Sequence, residues 1–138
     1  MKISNLLKTL SIFSLISFIV ISSSCKKNKD QQIPPKLSFK TGTSYISGDA
    51  TVKMNDTLLV GVIASKTEDK DLLTRFVGTQ QYDANSATTI INESFNEDTY
   101  SKDFNIITRK VAGMEKYTYT IINRDGLTQT ISFVLTVK

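Results

Sequence analysis

The stretch that decides the fold is residues 116–138, KYTYTIINRDGLTQTISFVLTVK. Residues 116–122 alternate aromatic or apolar side chains with threonine, and residues 130–138 place four apolar side chains on one face: Ile131, Phe133, Leu135 and Val137. A two-residue period is typical of a half-buried β-strand. The intervening Asn-Arg-Asp-Gly sequence is a turn signal, because Gly126 can adopt the positive φ that tight turns require. The stretch therefore predicts a β-hairpin.

Short runs of the same kind recur between polar turn signals after Pro35. The predicted strands are Leu37–Phe39, Thr51–Met54, Leu58–Ala64, Leu72–Gln80, Thr88–Phe95 and Tyr100–Arg109. No window in this part of the chain sustains the 3.6-residue period of a helix. Seven or eight strands within about 100 residues predict an all-β fold, a single antiparallel β-sandwich.

Three features of the closing hairpin resemble the ends of immunoglobulin-like repeats in bacterial surface proteins, including PKD-type modules. They are the Tyr117-x-Tyr119 strand, the turn at 123–126 and the strand at 131–137. The resemblance is good over Tyr117–Lys138 and loose over Leu37–Lys138, and the chain lacks the Cys…Trp…Cys pattern of antibody domains. It implies an immunoglobulin-like sandwich, an architecture that hosts many unrelated functions.

The first 24 residues have the pattern of a secretory signal peptide. Lys2 and Lys8 form a positive region, and an apolar run follows up to Ile21. The alternative is a membrane-spanning helix, which needs roughly 20 apolar residues. The run from Thr9 to Ile21 is too short for that, and extending it back to Leu6 would place Lys8 in hydrocarbon at a high cost. We therefore expect a cleaved leader at residues 1–24.

The end of the leader, Ile21-Ser22-Ser23-Ser24-Cys25, resembles a bacterial lipoprotein lipobox in its looser form, with serine before the cysteine. The resemblance implies cleavage before Cys25 and acylation of that residue, and several acyl chains hold a protein firmly in a membrane. Residues 26–35 are polar and end in a Pro-Pro pair, a composition typical of a disordered tether. The predicted parts are thus a signal peptide (1–24), a lipidated tether (25–36) and a β-domain (37–138).

The chain is also similar to lipoproteins of the Bacteroidetes, in which an acidic patch just after the cysteine directs export to the cell surface. Here Lys26, Lys27 and Lys29 follow Cys25, with Asp30 as the acidic residue. We expect a lipid-anchored protein of the cell envelope, in the outer membrane. The sequence is compatible with a domain on the periplasmic side or on the cell-surface side of that membrane.

Composition bears on nucleic-acid binding, on disulfide formation and on catalysis. The whole chain has a formal charge of +4, but from Leu37 onward there are 11 Lys and Arg against 12 Asp and Glu. A nucleic-acid-binding domain would carry its basic residues on the folded part, so no nucleic-acid partner is expected. The chain contains one cysteine, no histidine and no tryptophan. It therefore cannot form an internal disulfide, and it lacks the side chain best suited to proton transfer near neutral pH.

No catalytic constellation is evident. Acyl transfer needs a base beside the nucleophile, and the one cysteine is assigned to lipid. Four acidic residues are close in sequence and are predicted to be solvated turn charges: Glu93, Glu97, Asp98 and Asp103. Three others, Glu68, Asp69 and Asp71, lack the Asp-x-Asp-x-Asp spacing of a calcium loop. We expect no catalytic residue, no metal and no cofactor.

Tyr45, Tyr82 and Tyr100 lie in or near predicted turns and are candidate contacts for a sugar or a peptide. The alternative is that strand-end tyrosines cap the core. Asp56-Thr57-Leu58 resembles the O-glycosylation acceptor of the same bacterial group, which makes Thr57 a candidate site; otherwise it is a strand-entry threonine.

The expected function is that of a non-enzymatic envelope lipoprotein, held in the membrane through Cys25, which binds an unknown protein or glycan partner or serves as a structural module. The alternative is a carbohydrate-binding accessory lipoprotein of a polysaccharide-uptake system. A small enzyme is the third reading.

Overall fold

The computed structural model describes residues 32–138. The predicted leader, Cys25 and the tether up to residue 31 lie outside the described residues. Within 32–138 there are eight strands, which confirms the all-β prediction, and no helix there is long and apolar enough to cross a membrane. The strands are β1 (Lys36–Phe39), β2 (Ala50–Val52), β3 (Thr57–Ser65), β4 (Leu73–Tyr82), β5 (Thr88–Glu97), β6 (Thr99–Ile107), β7 (Gly113–Asn123) and β8 (Thr128–Val137).

The strands form two sheets packed face to face. The small sheet has the order β1-β3-β6, and the large sheet has the order β2-β8-β7-β4-β5. The predicted hairpin is β7 and β8, in which Tyr117 lies opposite Phe133 and Tyr119 lies opposite Ile131. The chain thus crosses several times between the two sheets, as in an immunoglobulin-like sandwich. The predicted architecture is confirmed.

One pair of strands departs from the antiparallel prediction. β2 pairs with β8 in parallel, with Ala50 opposite Leu135 and Val52 opposite Val137. Turn-forming residues at 41–43 and 47–49 separate β1 from β2. Residues 40–49 carry the chain from the small sheet to the large one without reversing it, so β2 continues in the direction of β1. A strand that keeps its direction meets β8 in parallel.

Aromatic and branched side chains fill the space between the sheets. Tyr119 lies at the centre, with ring centroids 5.3 Å from Phe104 and 6.0 Å from both Phe39 and Phe76. Burial raises the pKa of the Tyr119 phenol, whose hydroxyl has no hydrogen-bond partner within the described residues. The residues fully enclosed around it include Val60, Val62, Leu73, Phe76, Ile121, Phe133 and Leu135.

At each end of the sandwich, backbone hydrogen bonds join neighbouring loops to one another. At the entry end, where the described chain begins, the 66–72 loop meets the β7–β8 turn through Arg124 N–H donating to Leu72 O at 2.9 Å. At the far end, the 53–56 loop meets the 108–112 loop through Asn55 N–H donating to Arg109 O at 3.1 Å. The β4–β5 loop, residues 83–87, also lies at the far end, because Asp83 N–H donates to Met114 O.

The last residues of the predicted tether are packed against the sandwich. Ile33 N–H donates to the Glu68 carboxylate, and the Thr67 hydroxyl donates to Pro34 O at 2.7 Å. Pro35 is buried, and Lys36 already belongs to β1. The disordered-tether prediction is therefore wrong for residues 33–36, because Ile33 and Pro35 offer apolar surface that the entry end covers.

Candidate functional site

The outer face of the small sheet is the surface best built to meet a ligand. Inward-facing residues of β3 alternate with outward-facing ones, so Ile63 points to solvent and is 46% exposed. Ser38 lies opposite Ile63 on one side and Ser101 lies opposite it on the other. Two residues away along each strand, on the same face, a second row across the three strands consists of Lys36, Ser65 and Thr99. We call this surface, together with the Lys40, Tyr45 and Asp103 side chains that lie over Gly61, the outer face.

Three side chains cover Gly61 at the other end of the outer face. Lys40 Nζ donates to Asp103 Oδ1 at 2.7 Å, and the Tyr45 hydroxyl donates to Asp103 Oδ2 at 3.1 Å. A Cβ on Gly61 would lie 2.7 Å from the Tyr45 ring and 2.8 Å from Asp103 Oδ1. Glycine at this position thus lets the Tyr45 ring approach the strand closely. The contacts from Lys40 and Tyr45 lower the pKa of the Asp103 carboxyl.

Between the two rows, the outer face contains an open groove of about 440 Å³. This volume lies within the range of small-molecule sites, which combine apolar surface with a few polar groups. Its lining residues include Lys36, Ser38, Ile63, Ser65, Thr99 and Ser101. The groove can supply an apolar floor, several hydroxyl groups and one ammonium group to a bound molecule.

Tyr100 also lies beside the groove, but its side chain faces the interior. It is opposite Ala64 in the register, and its ring stacks on Phe95 at 4.7 Å and packs against Phe76 at 4.8 Å. Its hydroxyl donates to Glu93 Oε2 at 2.8 Å, and burial, followed by that carboxylate, raises the pKa of the Tyr100 phenol. The structure thus places Tyr100 at the β5–β6 side of the core, where it matches the core-capping alternative.

Tyr82 is at the far end, on a different part of the surface from Tyr45. The Arg109 guanidinium lies 5.5 Å from the centre of its ring, within cation–π distance. Its hydroxyl accepts a hydrogen bond from Gln80 Nε2 at 2.9 Å. The three predicted tyrosines therefore occupy three separate places and do not form one platform.

Three of the four acidic residues predicted as turn charges lie in strands, and one of the three, Glu97, is the last residue of β5 beside the turn. Glu93 in β5 pairs with Lys102 across the open side of the sandwich, and the contacts from Lys102 and Tyr100 lower the pKa of its carboxyl. Asp103 lies on the outer face, as described above. Asp98 occupies the β5–β6 turn, as predicted, and pairs with Lys66 at 2.7 Å. For Glu93 and Asp103 the turn prediction is wrong, because the alternation of β5 and β6 runs through both positions.

The acidic loop considered for calcium is also used internally. Asp71 is 3% exposed, and it accepts hydrogen bonds from Leu72 N–H at 2.8 Å and from the Asn123 amide. Among residues 32–138 no three metal-ligating side chains lie together. Thr57 begins β3 with an exposed side chain, as the strand-entry interpretation requires. Its glycosylation stays a prediction.

Sequence reasoning missed the partners of Tyr45. The clearest signal was Gly61, a glycine in the middle of the dense apolar run 58–64, which often marks a close approach by another group. The alternation Thr99, Ser101, Asp103 also indicated a polar face on β6. Neither pattern shows which residues of the 40–49 connection lie across the strand.

Comparison with known proteins adds information on the fold alone. No protein-family model matches the chain, and no curated protein matches it. A family 123 glycoside hydrolase from Clostridium perfringens aligns with 77% of this chain at 9% identity and a TM-score of 0.51, and the match covers 27% of that enzyme. A CARDB domain from Pyrococcus furiosus aligns with 78% of this chain and 94% of its own length, at 14% identity and a TM-score of 0.49.

Proposed function

We propose that this chain is a lipid-anchored, non-catalytic binding module of the bacterial cell envelope, and that the outer face of the small sheet meets its ligand. The observation that carries the proposal is the combination of exposed Ile63, flanking serines and the Tyr45–Lys40–Asp103 cluster on one surface. The groove beside Ile63 combines apolar surface with hydroxyl groups and an ammonium group, a composition found in small-molecule sites.

The contacts of the acidic residues favour binding over catalysis. Glu93 and Asp103 each accept hydrogen bonds from one lysine and one tyrosine hydroxyl. Glu93, in β5, contacts the inner face of β6, whereas Asp103 lies on the outer face of β6. Two carboxyl groups separated by a sheet cannot act on one glycosidic bond, which needs an acid and a base or nucleophile flanking it. Because these contacts also lower both pKa values, neither carboxyl is suited to the role of a general acid near neutral pH.

The anchor is tested separately from the binding face. The motivating observation is the lipobox-like sequence that ends at Cys25. Cys25→Ala should give a chain that carries no acyl group and that a high-salt wash removes from membranes, because salt screens any remaining electrostatic contact. Protease treatment of intact cells that carry the native protein reports which side of the membrane the domain faces. A Cys25→Ala chain that stays with membranes after the high-salt wash would remove lipid anchoring from the proposal.

Carbohydrate is the second candidate for the ligand, and the outer face gives a specific reason. Sugars combine apolar C–H faces with hydroxyl groups, and the groove combines Ile63 with the hydroxyls of Ser38 and Ser101, while the Tyr45 ring lies over Gly61 on the same face. Tyrosine is well suited to such a role because it presents an apolar ring and a polar tip. This candidate corresponds to the accessory lipoprotein of a polysaccharide-uptake system.

A glycan array with the unlipidated Cys25→Ala chain tests this candidate. We expect binding to at least one glycan class and a loss of about tenfold or more in affinity in Tyr45→Ala and in Ile63→Ser. Ile90→Ser is the matched control, because Ile90 is exposed to a similar degree (40%) on the edge strand of the large sheet. An empty array would remove carbohydrate, and glycan binding unchanged in both variants would remove the outer face.

A further inference from the structure

Exposed apolar side chains are concentrated at the far end of the sandwich. Within residues 32–138, seven large hydrophobic side chains are exposed, and five of them belong to far-end loops or to strand residues beside them: Met54, Tyr82, Ile107, Val111 and Met114. The exposed fractions are 45% for Met54, 61% for Val111 and 54% for Met114. Single exposed apolar residues are ordinary, whereas a group on neighbouring loops indicates an interaction site. We call Met54, Val111 and Met114 the apolar tip.

The loops that carry the apolar tip are held together by backbone contacts. Met54 N–H donates to Lys138 O at 3.2 Å, and Lys138 N–H donates to Val52 O at 3.0 Å. The Thr108 side chain, 2% exposed, donates to Lys53 O at 2.7 Å and accepts from Asp56 N–H at 2.8 Å. These bonds join the 53–56 loop to β6 and β8. The tip is thus a braced surface, so little ordering is needed when it meets a partner.

Arg109 braces the remaining loop from below. Its guanidinium donates to Val111 O at 2.9 Å, to Ala112 O at 2.6 Å and to Asp83 Oδ2 at 2.6 Å. The Val111 and Ala112 carbonyl groups of the 108–112 loop point inward to the guanidinium. The Val111 side chain therefore points outward. The internal contacts of Arg109 therefore account for an exposed apolar residue at the end of the molecule.

Three lysines are neighbours of apolar-tip residues, along the chain or through a backbone hydrogen bond. Lys53 precedes Met54, Lys110 precedes Val111, and the backbone of Lys138 is bonded to Met54; all three lysines are exposed. None of the three forms an ion pair with another residue of 32–138. Of the carboxylates at this end, Glu115 is fully buried, Asp56 is half-buried and accepts the Thr57 N–H, and Asp83 is exposed but paired with Arg109. The exposed charges beside the tip that form no ion pair within residues 32–138 are therefore the three lysines.

We propose that the far end docks onto an anionic phospholipid surface, with the apolar tip at the boundary between headgroups and acyl chains and the three lysines among the phosphates. Side chains of this kind, apolar at the centre and basic at the rim, combine partial insertion with attraction to anionic headgroups. An acidic protein partner would account for the three lysines but not for the three exposed apolar side chains beside them. The inference does not depend on the ligand of the outer face.

Sedimentation with lipid vesicles tests the proposal on the chain from residue 25 with Cys25→Ala. Lys26, Lys27 and Lys29 are replaced by glutamine in every protein of the series, so that only the far end supplies clustered positive charge. We expect binding to phosphatidylcholine vesicles that contain about 30% phosphatidylglycerol, weaker binding to pure phosphatidylcholine, and loss of binding as salt screens the attraction.

Variants separate the two contributions to docking. Replacing Met54, Val111 and Met114 by serine should weaken the partition coefficient at least about tenfold, because the inserted apolar surface is removed. Lys53→Gln with Lys110→Gln should weaken it by a further factor of about five for each charge. Ile90→Ser, at an exposed isoleucine away from the tip, is the control and should bind like the parent chain.

Two results would overturn the proposal. The first is an absence of binding to the anionic vesicles at low salt. The second is binding that the serine variant of the tip retains in full while its thermal unfolding matches that of the parent chain. Recovery of an acidic envelope protein by the parent chain, in the absence of vesicle binding, would assign the far end to a protein partner instead.

Discussion

Each end of the sandwich buries one carboxylate, Asp71 at the entry end and Glu115 at the far end. Asp71 accepts the Leu72 N–H and the Asn123 amide, so it joins the 66–72 loop to the β7–β8 turn. Glu115 accepts the Arg109 N–H at 2.6 Å and the Tyr117 hydroxyl at 2.7 Å, so it joins the 108–112 loop to the core. A buried carboxylate in both places meets donors that a loop would otherwise leave unpaired.

The surfaces above these two contacts differ. Exposed acidic residues lie at the entry end, among them Asp69, Asp98 and Asp125, whereas the far end exposes Met54, Val111 and Met114 beside lysines. The internal contact thus fixes the loops in both cases and leaves their outward side chains free to differ. Fold stability and surface chemistry can therefore be changed independently at each end, and variants of matched residues test that separation.

The largest difference is expected between Gly113 and Gly126, two of the three glycines with positive φ. At Gly113 (φ +150°) an added Cβ would meet the Arg109 guanidinium and Asp83, while Gly126 (φ +81°) in the entry-end turn has open space around it. Gly113→Ala should lower the free energy of unfolding by about 4 kcal/mol, from backbone strain and displacement of Arg109. Gly126→Ala should cost about 1 kcal/mol, from φ alone. Urea unfolding measures both, and equal losses would show that Arg109 does not brace the far end.

Removal of the buried carboxylates compares the two ends directly. Glu115→Ala leaves the Arg109 N–H and the Tyr117 hydroxyl without their acceptor. Asp71→Ala leaves the Asn123 amide without its acceptor. We expect losses of about 3 kcal/mol for Glu115→Ala and about 2 kcal/mol for Asp71→Ala in the free energy of unfolding. Amide hydrogen exchange should show faster opening of residues 108–112 in the first variant and of residues 66–72 in the second. Exchange that rises uniformly in both would contradict local bracing.

Two tyrosines on the same face of β7 sharpen the comparison between the far end and the core. The Tyr117 hydroxyl donates to Glu115 and accepts from Gln80 at 2.6 Å, whereas the Tyr119 hydroxyl has no partner in the described part of the chain. Tyr117→Phe should destabilise by about 2 kcal/mol, because both partners lose a hydrogen bond. Tyr119→Phe should stabilise by about 1 kcal/mol, because an unpaired buried hydroxyl is removed. Thermal melts of the two variants that shift in the same direction would refute the contrast.

Most of the fold follows from alternation along the strands. The period in β7 and β8 and the dense run of β3 identify strands and their buried faces, because one face of each strand must be covered. Periodicity does not identify the neighbouring strand, which is why β2 was expected to be antiparallel. Composition also misjudged Ile33–Pro35, because Pro35 is buried and the backbone of Ile33 and Pro34 is hydrogen-bonded to the 66–72 loop.

The candidate site was only partly accessible from the sequence. Tyr45 is on an exposed surface, but its partners Lys40 and Asp103 come from other segments and are brought together by the register of β1, β3 and β6. Glu115 carried a signal that was not used: it is in phase with Tyr117 and Tyr119, so the alternation places a carboxylate on the core face. A charged residue in a buried phase predicts an internal hydrogen-bond network.

The smallest expected effect concerns pH. The Met114 N–H, followed by Arg109, holds the pKa of the Asp83 carboxyl below its usual range. A lowered pKa in the folded state means that ionised Asp83 stabilises the protein fully above the unfolded pKa of about 3.9, and that this contribution disappears as pH falls through the folded value. Asp83→Asn should therefore be less stable than the parent at neutral pH, and the gap should close below about pH 4. Urea unfolding of both proteins across this range measures the gap. A gap that stays constant into strong acid would mean that Asp83 stabilises the far end through shape and neutral hydrogen bonds, so that the charge on its carboxylate contributes nothing to bracing Arg109.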